Sequence, residues 1–568
     1  MCGITGIIGP SASEAELQKM LRAQKHRGPD HTGSYFDPGY AALGHNRLSI
    51  IDLSPQANEP FVDNSGRYYL SFNGEIYNYK ELKEELRSFY SFKTSSDTEV
   101  LLAAFIHWGK ECLHRFNGMF AIAIWDSQEQ KLFAARDRFG VKPFYYSEAK
   151  NHLYFSSEIK ALKNVIFDIP HNLKVWANYF SYGSYGMPDV TFYEGIFQLP
   201  GGHFLDYSKG NLSISRWYDF ESAIKKVPED LPFEEVKVRY LELLKDSIKL
   251  RFRADVPVAF NISGGVDSSL LLALVNLFGD KKQINAYTFY TGDKRYDELP
   301  WVEQMIATTK NPLKKVLFSA SEVEETAQLI SSLQDEPFGG IPTLAYSAIF
   351  RQAHADGVKV LLDGQGMDEQ WAGYDYYQNS ESTIQGTGGR SPFRPNVLQK
   401  DFEALTEKPE YPKPFNNELQ NLQYRDLFYT KIPRALRFND RISMAYSTEL
   451  REPFLDHRLV EFAFAKPEAY KIKNGQGKYL LRELLSEMVS KELSYAPKRP
   501  LQTPQREWLG QELKSFVEEQ LDQLKTSPAA DWFDHKEIEK EWKQYLAGDN
   551  GSSFHVWQWV NTSLLFQK

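Results

Sequence analysis

The chain is 568 residues long, 42% hydrophobic, 25% charged and 14% aromatic, with a formal net charge of −9. Single cores stop growing near ~250–300 residues, so at least two domains are expected, and the aromatic content argues against long disordered tails. The acidic balance gives no general attraction to phosphate backbones or anionic lipid, and only Cys2 and Cys112 are present, which excludes a disulfide framework or a thiolate-rich zinc site and fits a reducing compartment.

The opening stretch MCGITGIIGPS has neither a basic leader nor a long apolar core, and no apolar run further on approaches bilayer-spanning length. A cytoplasmic enzyme is expected, with neither nucleic acid nor membrane as a partner. The segments YYLSF, MFAIAIWD, KLFAARD and HLYFSS are short, apolar and bounded by turn residues, which predicts strands. Between them YKELKEELRSF and TEVLLAAFIHWG carry apolar residues at helical spacing. An α+β layered domain over residues 2–205 follows, then a Gly-, Ser-, Pro- and charge-rich linker over 206–235. In 236–568 the compact runs VPVAFNI, INAYTFY, LKKVLFS and VKVLLD alternate with helical stretches, which predicts a doubly wound parallel α/β sheet. The text after about residue 375 is helical and polar, with a loop expected over 381–396.

A cysteine at position 2 has a chemical option closed to an internal one. Removal of Met1 would leave its thiol beside its own α-amine, whose ordinary pKa of about 7.7–8.0 suits a general base. An inert buried thiol is the plain alternative. Its company decides between them: CGITGIIG, HRGPD at 26–30, GHNRLSIIDLS at 44–54, FNGEIYNYKEL at 72–82, SSDTEVLL at 95–102, NGMFAIAIWD at 117–126, RDRFGVKPFYY at 136–146 and SSEIKAL at 156–162. Together, in this order and spacing, they resemble the class II glutamine amidotransferase domain. The resemblance implies a four-layer αββα sandwich of the N-terminal nucleophile hydrolase type. It implies that Cys2 attacks the side-chain amide of glutamine to give a γ-glutamyl thioester and ammonia. Asn73 and Gly74 match the oxyanion hole, Arg47 the partner of the glutamine carboxylate and Asp97 that of its ammonium. Leu48, Ser49, Ile50, Ile51 and Glu75 would line the same pocket.

Further on, VPVAFNISGGVDSSLLLALV sets a buried strand, a glycine loop and a helix in succession, a frame that offers backbone N–H groups to phosphate. It lacks the GK[ST] ending of a Walker loop. SGGVDSS at 263–269 resembles the pyrophosphate loop of ATP pyrophosphatases, and FNDRISMAYSTELREPFLDHRLVEFA at 438–463 with GKYLLRELL at 477–485 resembles asparagine synthetases. The resemblance implies cleavage of ATP to AMP and pyrophosphate, with Ile262, Ser263, Gly264, Gly265, Asp267, Ser268, Ser269, Thr291, Asp363 and Gly364 around the nucleotide. It implies Mg²⁺ held by Asp267 and Asp368, Lys478 steadying the adenylate, and assembly as a homodimer.

Two departures bear on the acceptor. Where many members of the family carry an acidic residue, this chain has Gln365, and a glutamine cannot take a proton from attacking ammonia. Glu369 or the substrate phosphate is then the alternative base. The segment PKRPLQTPQREWL at 497–509 also differs from many relatives. The expected reaction is glutamine-dependent, AMP-forming amidation of aspartate, with ammonia passed between the domains. Open beside it stand the same chemistry on another carboxylate (a sugar acid, a cell-wall precursor or a secondary metabolite) and a glutaminase or scaffold with an inactive second domain.

Overall fold

The computed structural model describes residues 1–277, 284–378, 392–496, 502–549 and 551–567. Most of the loop expected over 381–396 and the start of the 497–509 segment lie outside the described residues.

Two six-stranded antiparallel sheets build the first domain. In the first, Gly3–Ile8 is a central strand between Ala41–Arg47 and His152–Ser156, and all six of its residues are buried. A small, uniformly apolar strand paired on both sides is a rigid mount for the residue that precedes it, Cys2. In the second sheet, Tyr68–Ile76 pairs along its whole length with Gly118–Asp126, setting Asn73 opposite Ala121 and Gly74 opposite Phe120. Ile4, Ile8 and Leu43 of the first sheet pack against Ala123, Trp125 and Leu132 of the second. The helix Glu14–Ala23 covers the outer face of the first through Leu17, Met20 and Leu21. Asp97–Trp108 covers that of the second through Val100, Leu101 and Ala104.

The stretch 206–235 is more structured than a linker. The strands His203–Ser208 and Asn211–Arg216 form a hairpin that extends the second sheet, and the helix Phe220–Ile224 follows. The hairpin's outer strand is an exposed edge with only one face to bury, so its sequence NLSISR carries little apolar signal.

The second domain holds a five-stranded, all-parallel sheet in the order Leu313–Leu317, Ala286–Tyr290, Val258–Asn261, Val360–Leu362, Glu449–Arg451. The four apolar runs named above supply its first four members. The fifth, Glu449–Arg451, is three residues long with a charge at each end and carries no strand signal of its own. Strand order reverses between Val258–Asn261 and Val360–Leu362, and open α/β sheets bind ligands at such a switch point, beyond the carboxyl ends of the strands. The segments Ile262–Gly265 and Asp363–Gly366 leave the sheet there.

Apolar packing is continuous between the domains. Leu48, Ile50 and Phe139 share one cluster with Leu427, Leu436, Met444 and Leu455, while Trp176 and Phe192 join Phe338, Trp532 and Trp557 in another. Among the described residues no helix is long and apolar enough to cross a membrane.

Candidate active site

Cys2 sits buried at the start of its central strand, between the two sheets. Its backbone nitrogen donates to Asn73 Oδ1 at 3.0 Å, its Sγ lies 3.9 Å from the Leu48 carbonyl, and its own carbonyl accepts from Arg27 Nε at 3.0 Å. Burial pushes the thiol up from its ordinary value, against the pull of the chain's amino terminus, the Leu48 contact and Arg47. The Asn73 side-chain amide turns its oxygen to the Cys2 nitrogen, while its buried Nδ2 has no hydrogen-bond partner among the described residues. A desolvated, unpaired N–H₂ beside a nucleophile is costly unless an oxyanion forms there.

Gly74 adopts φ +153°, and a Cβ on it would lie 2.0 Å from the Met119 carbonyl oxygen. Only glycine allows this strand to pass so close to its partner. Gly74→Ala is therefore expected to lower stability by about 1–3 kcal/mol and to abolish glutamine hydrolysis, measured by thermal unfolding and glutamate release.

The remaining pocket residues cluster here in two groups. Arg47 spans the loop after its strand, with Nη1 donating to the Ser54 carbonyl and to Asn58 Oδ1, both at 2.9 Å, and Nη2 to the Ile51 and Asp52 carbonyls. The guanidinium thereby shapes the segment holding Leu48, Ser49, Ile50 and Ile51. Ser49 is anchored through its N–H to Asp30, 2.7 Å away. Asp97, in the first turn of its helix, accepts from the Ile76 N–H at 2.9 Å; burial lifts its carboxyl to about 6 despite that bond. Glu75 faces Arg451 at 3.5 Å and is raised well above its ordinary range, first by burial and then by Glu449 and Asp97.

Residue 1 enters a second set of charges that the sequence reading did not include. The Met1 ammonium pairs with Glu449 at 2.8 Å, both groups fully buried, and Glu449 pairs in turn with Arg451 Nε at 2.5 Å. Burial alone would raise Glu449, but the Met1 ammonium, Arg451 and Lys142 outweigh it and hold the carboxyl at about 2. A further bridge ties Arg27 to Asp440, with contacts of 2.8 and 3.1 Å, and to Glu158 at 2.9 Å. These partners stand more than a hundred residues apart, and no local pattern announces them.

At the switch point of the parallel sheet, Gly264 has φ +75° and a Cβ there would meet that of Trp301 at 2.9 Å, so the loop turns where only glycine fits. Ser263 and Ser268 bond to each other across it, and Ser269 closes the first turn of the helix behind, Val266–Val275, its N–H on the Gly265 carbonyl at 3.0 Å. Asp363 accepts from the Tyr346 hydroxyl at 2.8 Å and from the Gly364 N–H at 2.8 Å, and Asn261 donates to Tyr346 at 2.7 Å. Thr291 is turned aside: its N–H and hydroxyl both bond Asp297, at 2.7 and 2.8 Å.

Lys478 lies between Asp267 Oδ2 at 2.6 Å and Asp368 Oδ1 at 2.9 Å. Burial would weaken its proton's hold, yet the two carboxylates overcome that and push the ammonium's pKa up. Both carboxylates thus stand within reach of one cation. Among the described residues no group of three or more His, Cys, Asp or Glu side chains is placed to hold a metal. Two carboxylates completed by substrate phosphates and water are the ligand pattern Mg²⁺ uses, so this pair fits Mg²⁺ bound together with a nucleotide. Glu369 faces away, accepting from the Tyr374 hydroxyl at 2.7 Å, and burial with Asp368 nearby lifts it to about 8. Close to it Lys431, lowered to about 8 by burial, approaches the rings of Tyr374 and Tyr376 at 5.2 Å. The sequence reading did not include that aromatic and basic group. Cys112 lies in an apolar cluster, its thiol pushed up by burial, and reaches neither site.

A glutamine amidotransferase domain model matches residues 1–218, and an asparagine synthase model matches residues 239–567. Asparagine synthetase [glutamine-hydrolyzing] 1 of Bacillus subtilis is 29% identical to the chain, over 93% of this chain and 90% of that one. The putative asparagine synthetase [glutamine-hydrolyzing] 2 of Methanocaldococcus jannaschii is 35% identical over 67% of this chain and 76% of its own. Amidase chry2 of Gibberella zeae is 27% identical over 91% of each.

Proposed function

The chain belongs to the asparagine synthase family, and from that premise we propose that it amidates aspartate to asparagine, cleaving ATP to AMP and pyrophosphate and drawing ammonia from glutamine at Cys2. The observation that carries this reading is the strand Glu449–Arg451. On one side Arg451 faces Glu75 of the glutamine pocket at 3.5 Å, and on the other its carbonyl accepts from the Asp363 N–H at 3.0 Å. A three-residue element in touch with both sites is what nitrogen transfer between them calls for. The first domain is then a four-layer αββα sandwich, the second an ATP pyrophosphatase, and the enzyme works in the cytoplasm as a homodimer.

In this reading Met1 is removed, and the nitrogen now bonded to Asn73 Oδ1 becomes the Cys2 α-amine. It takes the thiol proton as Sγ attacks the glutamine carbonyl. Asn73 Nδ2 and the Gly74 N–H receive the developing oxyanion. Asp97, with Glu75, holds the substrate ammonium, and Arg47 and the Leu48–Ile51 segment hold its other end. Because burial lifts the Asp97 carboxyl to about 6, kcat/KM for glutamine should fall about tenfold per unit below pH 6, as protonation removes the charge that binds the ammonium. Unchanged kcat/KM between pH 7 and 5 would contradict that role.

At the second site the loop Ser263–Gly265 and the helix start at Ser268 and Ser269 cradle the triphosphate, with Ile262, Thr291, Asp363 and Gly364 flanking the nucleoside. Asp267 and Asp368 would hold Mg²⁺, which supplies Lewis-acid neutralisation of the phosphates. Lys478 supports the charge that develops as pyrophosphate leaves. Pyrophosphate release across a panel of carboxylates tests the whole. Aspartate is expected to drive it, and silence with aspartate alongside robust release on another acid would overturn the assignment. That second outcome has its own support in Gln365, which departs from the acidic residue many relatives carry, and in the fungal relative named an amidase.

A further inference from the structure

Glu452, at the C-terminal end of the strand Glu449–Arg451, is 4% exposed, and neither of its carboxylate oxygens has a hydrogen-bond partner among the described residues. A buried carboxyl left unsatisfied is costly, and chains retain such groups where they are used. On one side stand Gln365, whose backbone N–H leans toward the carboxyl without closing a bond, and Asp363. On the other a cavity opens between the domains, walled by Tyr77, Gly118, Met119 and Leu455 as well as Glu452. Met119 and its neighbour Phe120 are register partners of Glu75 and Gly74, so this wall belongs to the strand paired with the one that frames Cys2. The charged and titratable groups around Glu452 are Asp363, Lys142, Arg251 and the Tyr346 hydroxyl, with Tyr77, Asp137, Arg138 and His457 further along the cavity. Glu452 therefore stands between the glutamine pocket and the glutamine residue at 365.

We propose that Glu452 is the proton acceptor for amide formation, supplying from the neighbouring strand the carboxylate that position 365 lacks. The inference rests on the proposed acyl-adenylate chemistry. The lone pair of ammonia forms the C–N bond at the acyl carbon, and the carbonyl pair moves onto oxygen. As it returns, the C–O bond to AMP breaks and its electron pair leaves on the phosphate oxygen. The proton released from nitrogen goes to Glu452, so the step yields amide, AMP and a protonated carboxyl. Burial and the adjacent Asp363 charge raise this carboxyl well above its ordinary range, with Lys142 opposing, which strengthens it as a proton acceptor.

The test compares wild type, E452Q and the double variant Q365E/E452Q, with ammonia as the nitrogen source and the acceptor that supports ATP–pyrophosphate exchange in the wild type. E452Q should keep exchange and wild-type melting, lose amide formation by about 10²–10⁴-fold, and lose the acid limb of the pH–rate profile that marks the base's ionisation. Hydroxylamine, whose adduct sheds its proton more readily, should recover much of the rate, as should Q365E/E452Q. Wild-type amide formation in E452Q overturns the assignment, and so does parallel loss of exchange and amide with no recovery in the double variant. Absence of exchange in the wild type with every carboxylate overturns the proposed function itself, and this inference with it.

Discussion

Cys2→Ala is expected to abolish glutamine-dependent amide synthesis, by about 10⁴-fold or more, and to leave ammonia-dependent synthesis near wild type. The thiol is the nucleophile of a pocket in which Asn73, Gly74 and Asp97 bind and stabilise but form no bond to glutamine. Asn73 contacts the backbone nitrogen of residue 2, not its side chain, so alanine leaves that bond and the strand Gly3–Ile8 intact. Assays with glutamine and with an ammonium salt separate the two outcomes. Loss of both would mean that the sites are not separable. The same preparation carries a second readout, because the uncut amino terminus is bound to Glu449, with the thiol buried and raised. Intact mass of active wild-type protein should begin at cysteine.

Lys478→Met should cut ATP–pyrophosphate exchange by about 10²–10³-fold, the scale of losing one preorganised charge at a site of developing negative charge, while glutaminase activity persists. Its ammonium holds Asp267 and Asp368 together, at 2.6 and 2.9 Å. The lysine itself sits at φ +60°, and a Cβ on Gly373 would fall 1.9 Å from Asp368 Oδ1 and 2.3 Å from Lys478 Cε. Glycine at 373 is thus the condition for the close approach. Removing the ammonium from between two carboxylates leaves them facing one another, so a lower melting temperature should accompany the lost exchange. Magnesium in excess should recover part of the melting temperature and none of the exchange. Full exchange in Lys478→Met would remove the lysine from the adenylation step.

Much of this was legible in the primary structure because both candidate sites are built on contiguous motifs. NGE places its functional groups within one strand and SGGVDSS on the turn that leaves another, and an apolar strand before a glycine is a local signal. What escaped was non-local. Glu449–Arg451 is too short and too charged to register as a strand, since its end residues are stabilised by residue 1 and by Glu75 rather than by burial of apolar surface. Glu452 follows it and looks in sequence like an ordinary solvated acid. The Tyr346–Asp363 bond and the Lys431 group depend on which helices the sheet brings alongside, information carried by packing and not by spacing. The bond from the Thr291 hydroxyl to Asp297 is likewise set by how the loop folds back and not by spacing.

The apolar clusters that run unbroken from one domain to the other, with Arg27 locked to Asp440 between them, bear on how such proteins can change over time. Neither half carries a finished surface. If the first 218 residues were made alone, they would present Leu48, Ile50 and Phe139 to water and leave the Arg27 guanidinium without Asp440. A half exchanged with that of a distant relative would meet a partner cut to another shape. Exchanging either half alone therefore means remaking this seam as well as the site it serves.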